Sequence, residues 1–168
     1  GAPVDDLEAL LAAARPETVY THNPADKHLT HIGVVSAVIA ALRRLPAEER
    51  PATVWGCETW RNLDWLPDED KVLLDVGAHP NLAAALMGVH DSQITGGKRY
   101  DRAALGRRES NATFFESHGV DTADQLWFAM DLTPLVRDDA LDPAEYVTGF
   151  IDKLREDVRG RLADMARR

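Results

Sequence analysis

The sequence predicts an α/β fold, a Rossmann-like and mostly parallel sheet with flanking helices. Three observations carry that expectation. Short β-branched or aromatic runs recur at residues 18–21, 53–57, 71–76 and 125–130, each of a length and composition suited to a buried strand. Segments with helical periodicity stand between them, and strands that alternate with helices pack as a sheet covered by helices. The chain also opens on a helix with no strand before it, so the expected sheet belongs to an incomplete domain whose N-terminal strands are missing.

Residues 5–14 place Asp5, Asp6 and Glu8 near a helix start, where the helix dipole favours acidic groups, and Pro16 ends that helix. The strand at 18–21 leads into an Asn23-Pro24 turn. A helix then runs to about Arg44, with Ile32, Val35, Ile39 and Leu42 on one stripe and Arg43 and Arg44 in its last turn. After the second and third strands, residues 81–89 and 102–116 read as helices. Phe114 and Phe115 in the latter are expected in the core. Residues 143–166 form a long terminal helix with Tyr146, Phe150, Leu154, Val158 and Leu162 spaced along one face. One domain accounts for all 168 residues, a length sufficient to bury a core.

Composition narrows the function. Apolar residues make up 45% of the chain and charged residues 28%, with a formal net charge of -9. That charge argues against a phosphate-backbone binder, which needs a basic patch, and against an anionic membrane surface. No run approaches the roughly 20 apolar residues of a membrane span, and no signal peptide opens the sequence. Cys57 is the single cysteine, which removes disulfide frameworks and cysteine-based zinc sites. A cytoplasmic protein without nucleic-acid or membrane partners is expected.

The chemistry concentrates in His22-Asn-Pro-Ala-Asp26-Lys-His28-Leu-Thr-His31-Ile-Gly33. This stretch follows a strand, where α/β sheets bind ligands. Histidines three apart share a helix face, so one can ligate a metal ion while the other faces a substrate. Other candidates are weaker. Ala78-His79-Pro80-Asn81 lacks carboxylates after its proline and reads as a helix start with Pro near its first position. Trp60-Arg61 and residues 96–100 are either substrate loops or ordinary exposed loops. Cys57 reads as an inert packed thiol. There is no HExxH, no P-loop and no Gly-x-Ser-x-Gly.

The run Val19-Tyr-Thr-His-Asn-Pro-Ala-Asp26-Lys-His28-Leu-Thr-His31-Ile-Gly33 resembles the second motif of the PIG-L/LmbE-like zinc deacetylases, the N-acetylglucosaminyl deacetylase family. The resemblance continues through Val72-Leu-Leu-Asp75, the next helix and His90-Asp-Ser-Gln93, which is similar to the family's downstream His-x-Ser-Gln element. It reaches Tyr100-Asp101 and residues 106–112, covering roughly residues 5–120. It implies that the 168 residues are the C-terminal two thirds of one such deacetylase domain. It implies a zinc-dependent hydrolase that removes an acetyl group from an N-acetylated sugar or related small molecule. His31 is then the zinc ligand and His28 the catalytic neighbour that serves the carbonyl oxygen or the leaving amine. Asp26, Arg61, His90 and Gln93 contact or shape the substrate pocket.

Two departures bear on that reading. Thr30 stands where the family has an aspartate between the histidines, and Leu29 where it has a proline. More importantly, the family's first motif, His-Pro-Asp-Asp, which supplies two further metal ligands and the general base, does not occur in this sequence. The expectation is therefore a fragment, one part of a nicked protein that keeps its N-terminal segment as a partner, or a short paralogue. The alternative function is a non-catalytic small-molecule or protein-binding domain on a degenerate deacetylase scaffold.

Overall fold

The computed structural model describes residues 2–168. Its strands, β1 (Thr18–His22), β2 (Thr53–Cys57), β3 (Lys71–Asp75) and β4 (Leu126–Asp131), fall within a residue of the four sequence runs. They form one four-stranded sheet in the order β1-β2-β4-β3. β1 and β2 are parallel, from Thr18 opposite Thr53 to His22 opposite Cys57. β4 runs antiparallel to β2, with Cys57 opposite Ala129 and Trp55 opposite Asp131. The sheet is mixed, and helices flank it. The helices are α1 (Ala2–Ala14), α2 (Leu29–Arg44), α3 (Pro80–Gly88), α4 (Ser92–Thr95), α5 (Tyr100–Phe115), α6 (Thr133–Arg137) and α7 (Pro143–Ala166). The chain divides into two compact units, Gly1–Val72 with Ala129–Arg168, and Leu73–Phe128.

In the first unit, β1, α2 and β2 make a parallel βαβ crossover. Arg15 takes a positive φ of 44° just before Pro16, which stops α1 and turns the chain into β1. The apolar stripe of α2 buries Val35, Val38, Ile39 and Leu42. It faces a core that also holds Val54, Leu63, Met130, Leu132 and Leu135. Two arginines tie this core's lower edge. Arg43 donates to the carbonyls of Leu135 (2.7 Å) and Leu141 (2.6 Å). Arg50 donates to those of Arg43 and Val136, each at 2.6 Å. These guanidinium groups satisfy carbonyls at the ends of α2 and α6 and in the loop before α7.

α7 starts on a capping aspartate: the Asp142 carboxylate accepts from the backbone N–H groups of Ala144 and Glu145. Its first turns are held by buried Val147 and by the Tyr146 hydroxyl, which donates to the Asp131 carbonyl at 2.7 Å. On the face predicted from the spacing, Tyr146, Phe150 and Leu154 are half-buried and none is fully buried. Val158 and Leu162 are 46% and 67% exposed, because the 24-residue helix outruns the elements that its first turns pack against.

In the second unit, the Asn111 side chain donates to the Leu126 carbonyl at 3.1 Å, and Phe115 meets Phe128 with ring centres 6.0 Å apart. Phe114, expected in the core, is 77% exposed. Successive helical residues point about 100° apart, so only one of the two phenylalanines reaches Phe128. Among the described residues no helix is long and apolar enough to cross a membrane.

Burial, and secondarily the charges of Asp131 and Asp70, push the Tyr146 phenol up to about 12. The native state therefore prefers the protonated phenol. Its contribution to stability is complete below the unfolded value near 10 and is lost as pH rises through 12. Alkaline titration followed by phenolate absorbance should show one delayed tyrosine, absent in Tyr146→Phe, which should also lose about 1 kcal/mol of stability. A titration without a delayed phenol would contradict the buried hydrogen bond.

Candidate functional site

The carboxyl ends of the parallel strands β1 and β2 lie side by side, and the loops that leave them build the candidate site. The Asn23 side chain is wholly buried, and both its backbone N–H and its Nδ2 donate to the Cys57 carbonyl at 3.0 Å. This clamp needs a glycine opposite. A Cβ on Gly56 would lie 3.2 Å from the Asn23 Cα and 2.8 Å from a Leu132 methyl.

Asp26 ties the two loops together. Its side chain has no solvent exposure. Oδ1 accepts from the His28 N–H at 2.9 Å, while Oδ2 accepts from the backbone N–H groups of Trp60 (2.9 Å) and Arg61 (3.4 Å). Burial alone would raise its pKa. The N–H groups of His28 and Trp60, the His31 side chain and the Arg61 N–H together outweigh that and hold the carboxyl below its ordinary value.

Three imidazoles gather above this carboxylate. His28 is the residue that precedes α2, in an extended conformation, and its carbonyl accepts from the His31 N–H at 3.0 Å. The spacing of three therefore spans a helix start rather than a helix interior, and still brings the rings within 4.8 Å, tilted by 32°. His31 is mostly buried. Its Nδ1 has no hydrogen-bond partner and lies 3.5 Å from Asp26 Oδ2, within ion-pair range. The His22 ring stacks on that of His31 at 3.9 Å and 5°, and its Nδ1 shares a 3.1 Å hydrogen bond with the Thr59 hydroxyl. Burial first, then the proximity of His31, lowers the His22 pKa against the opposing pull of Asp26. A neutral His22 follows at neutral pH. Trp60 lies 6.3 Å from His28, nearly parallel to it.

An imidazole ligates through a lone pair in its ring plane. The parallel planes of His22 and His31 cannot direct their lone pairs to one ion, so those two are not co-ligands. A histidine oriented by a buried carboxylate is the usual arrangement around a metal-ligating imidazole, and His31 with Asp26 fits a single ligand of that kind. Among the described residues no group of three His, Cys, Asp or Glu side chains could hold a metal ion.

Arg61 is exposed and lines an apolar groove of about 660 Å³ with Ile32, Trp65 and Val147. His90 and Gln93 lie in the second unit, both exposed, at the turn into α4, where the Gln93 N–H donates to the His90 carbonyl at 2.8 Å. His79 precedes Pro80 at the start of α3, as its sequence context predicts. Burial, with the charge of Glu58, raises the Cys57 thiol to about 11, an unreactive state. His22 and Thr59 escaped sequence reasoning as site residues. His22 closes β1 and Thr59 follows β2, the strand ends where such sheets bind ligands.

No protein-family model, no curated protein and no solved structure matches this chain.

Asp26→Ala should leave three partly buried N–H groups without their acceptor and lower stability by about 1–3 kcal/mol, read as a drop in Tm. Asp26→Asn keeps one acceptor oxygen and should lose less. A parent-like melt for Asp26→Ala would show that the carboxylate does not hold the loops.

Proposed function

We propose that the histidine cluster is the metal-ligand and catalytic-histidine part of a zinc-dependent N-deacetylase of the PIG-L/LmbE kind, acting on an N-acetylated sugar or related small molecule. The observation that carries the reading is the pairing of His31 with the enclosed Asp26 carboxylate, beside an exposed His28. Nδ1 faces Asp26 Oδ2 at 3.5 Å, which leaves Nε2 of His31 as the ligating atom. Because the Asp26 side chain has no exposed surface, its role in this reading is to orient His31 and the loop rather than to touch substrate. His28 holds or releases a proton at the substrate's carbonyl oxygen or leaving amine, and Arg61 contacts substrate from the neighbouring groove.

When bound, zinc in such a site polarises an acetamide carbonyl and activates water. Ligands beyond His31, and the general base, come from a His-Pro-Asp-Asp segment that these 168 residues do not contain. That segment is the partner the reading requires, and with it the chain forms the C-terminal two thirds of a cytoplasmic deacetylase domain. The parallel β1-α2-β2 crossover is the element that supports a Rossmann-like origin for the sheet.

The stacking of His22 on His31 favours a second reading. A neutral imidazole packed flat against the ligand is what a scaffold that binds without turnover would tolerate, and this is a non-catalytic small-molecule or protein-binding domain.

The two readings part in one experiment. In a protein that joins these residues to the His-Pro-Asp-Asp segment, Zn²⁺ binding, followed through the histidine ring resonances, should involve His31, vanish in His31→Ala and persist in His28→Ala. With a complete ligand set, release of free amine from an N-acetylated sugar should then be lost in His28→Ala although zinc is retained. Equal zinc binding by His31→Ala and the parent would overturn the ligand assignment. Full turnover by His28→Ala would remove its catalytic role.

A further inference from the structure

His22 takes no part in the metal and proton chemistry assigned to His31 and His28, yet its ring lies closer to His31 than the His28 ring does, 3.9 Å against 4.8 Å between centres. The torsion between Cβ and an imidazole ring has a broad well, so a histidine rotamer does not by itself fix the ring plane. The lone pair of a ring nitrogen lies in that plane and swings with it. Asp26 meets His31 at the ring edge: Oδ2 is 3.5 Å from Nδ1, and Nδ1 makes no hydrogen bond. That contact selects which edge faces inward and leaves the plane loosely held. His28 is exposed and tilted by 32°, so it offers no flat wall.

The His22 ring is such a wall, 5° from parallel with that of His31, and it is anchored at both ends. Its backbone closes β1 in register with Cys57 of β2, and the next N–H, of Asn23, donates to the Cys57 carbonyl at 3.0 Å. Its ring Nδ1 shares the 3.1 Å hydrogen bond with the Thr59 hydroxyl, from the loop after β2. A ring carried by the sheet thus bears on a ring carried by the start of α2.

We propose that His22 is a positioning residue: anchored by Thr59, it fixes the plane of the His31 ring and so the direction in which His31 presents its free nitrogen. Asp26 chooses the edge of the ring and His22 its plane. The proposal rests on the deacetylase reading only for the ion that His31 would meet. It requires a flat side chain at residue 22, whereas a role in packing alone would be met by any apolar group of similar size.

His22→Phe keeps a flat ring and His22→Leu fills the space without one. Carbon-13 relaxation of the His31 Cδ2–H bond, measured on the full chain without metal, reads how firmly the ring is held. Its order parameter should lie near the roughly 0.85 of rigid backbone in the parent and in His22→Phe, and fall below about 0.6 in His22→Leu. In the protein joined to its missing segment, His22→Leu should bind Zn²⁺ about tenfold more weakly, with His22→Phe close to the parent. A His31 ring as ordered in His22→Leu as in the parent would overturn the proposal, as would a loosely held ring in the parent. Thr59→Val removes only the anchoring hydrogen bond and should loosen both rings; unchanged order there would overturn the anchor, and this variant decides if neither His22 variant folds. Failure of the joined parent to bind zinc would count against the deacetylase reading alone, because the ring-order measurement needs no metal.

Discussion

A single enclosed carboxylate organises the candidate site. Asp26 accepts from the backbone of its own loop at His28 and from the loop after β2 at Trp60 and Arg61, and it lies within ion-pair range of His31. Backbone N–H groups in loops have no ladder to join, and a buried one without an acceptor costs more than a typical hydrogen bond contributes. One ionised group therefore fixes three features: where α2 begins, where Trp60 sits and which nitrogen of His31 faces inward. The low pKa direction of Asp26 follows from the same contacts, since each stabilises the charged form against burial.

The parallel pairing of β1 with β2 makes that arrangement possible. It sets both strand ends on one edge, so that loops separated by more than thirty residues of sequence meet over one carboxylate. Gly56 and Asn23 keep the two ends close enough: the asparagine clamps Cys57 twice, and the missing Cβ of the glycine leaves room for it. The imidazoles ride on this frame. The same frame restricts the chemistry, because the flat stacking of His22 on His31 allows one of them, and not both, to serve a given ion.

Much of the fold could be read from the sequence because it depends on local pattern. The strands are short β-branched runs, α2 has an apolar stripe at helical spacing, and Pro80 marks a helix start. The antiparallel pairing of β4 could not be read, because no local pattern states which strand a run will join. The partial exposure of the α7 stripe was hidden for a related reason: spacing defines a face but not how far a partner extends along it. At the site, His28 and His31 stood out by spacing and context. His22 and Thr59 did not, since their roles arise only when the ends of β1 and β2 come together. Asp26 was visible as a nearby carboxylate, but its enclosure and its backbone partners are tertiary facts.

The account rests on the claim that Asp26 holds two loops from within. Hydrogen exchange of the His28 and Trp60 backbone amides measures that directly, because neither amide belongs to a helix ladder or a strand pair. Both should exchange far more slowly than unstructured amides of the same sequence, and both should lose protection together in Asp26→Ala while α2 keeps its own. Exchange of either amide at the unstructured rate in the parent protein would contradict the account.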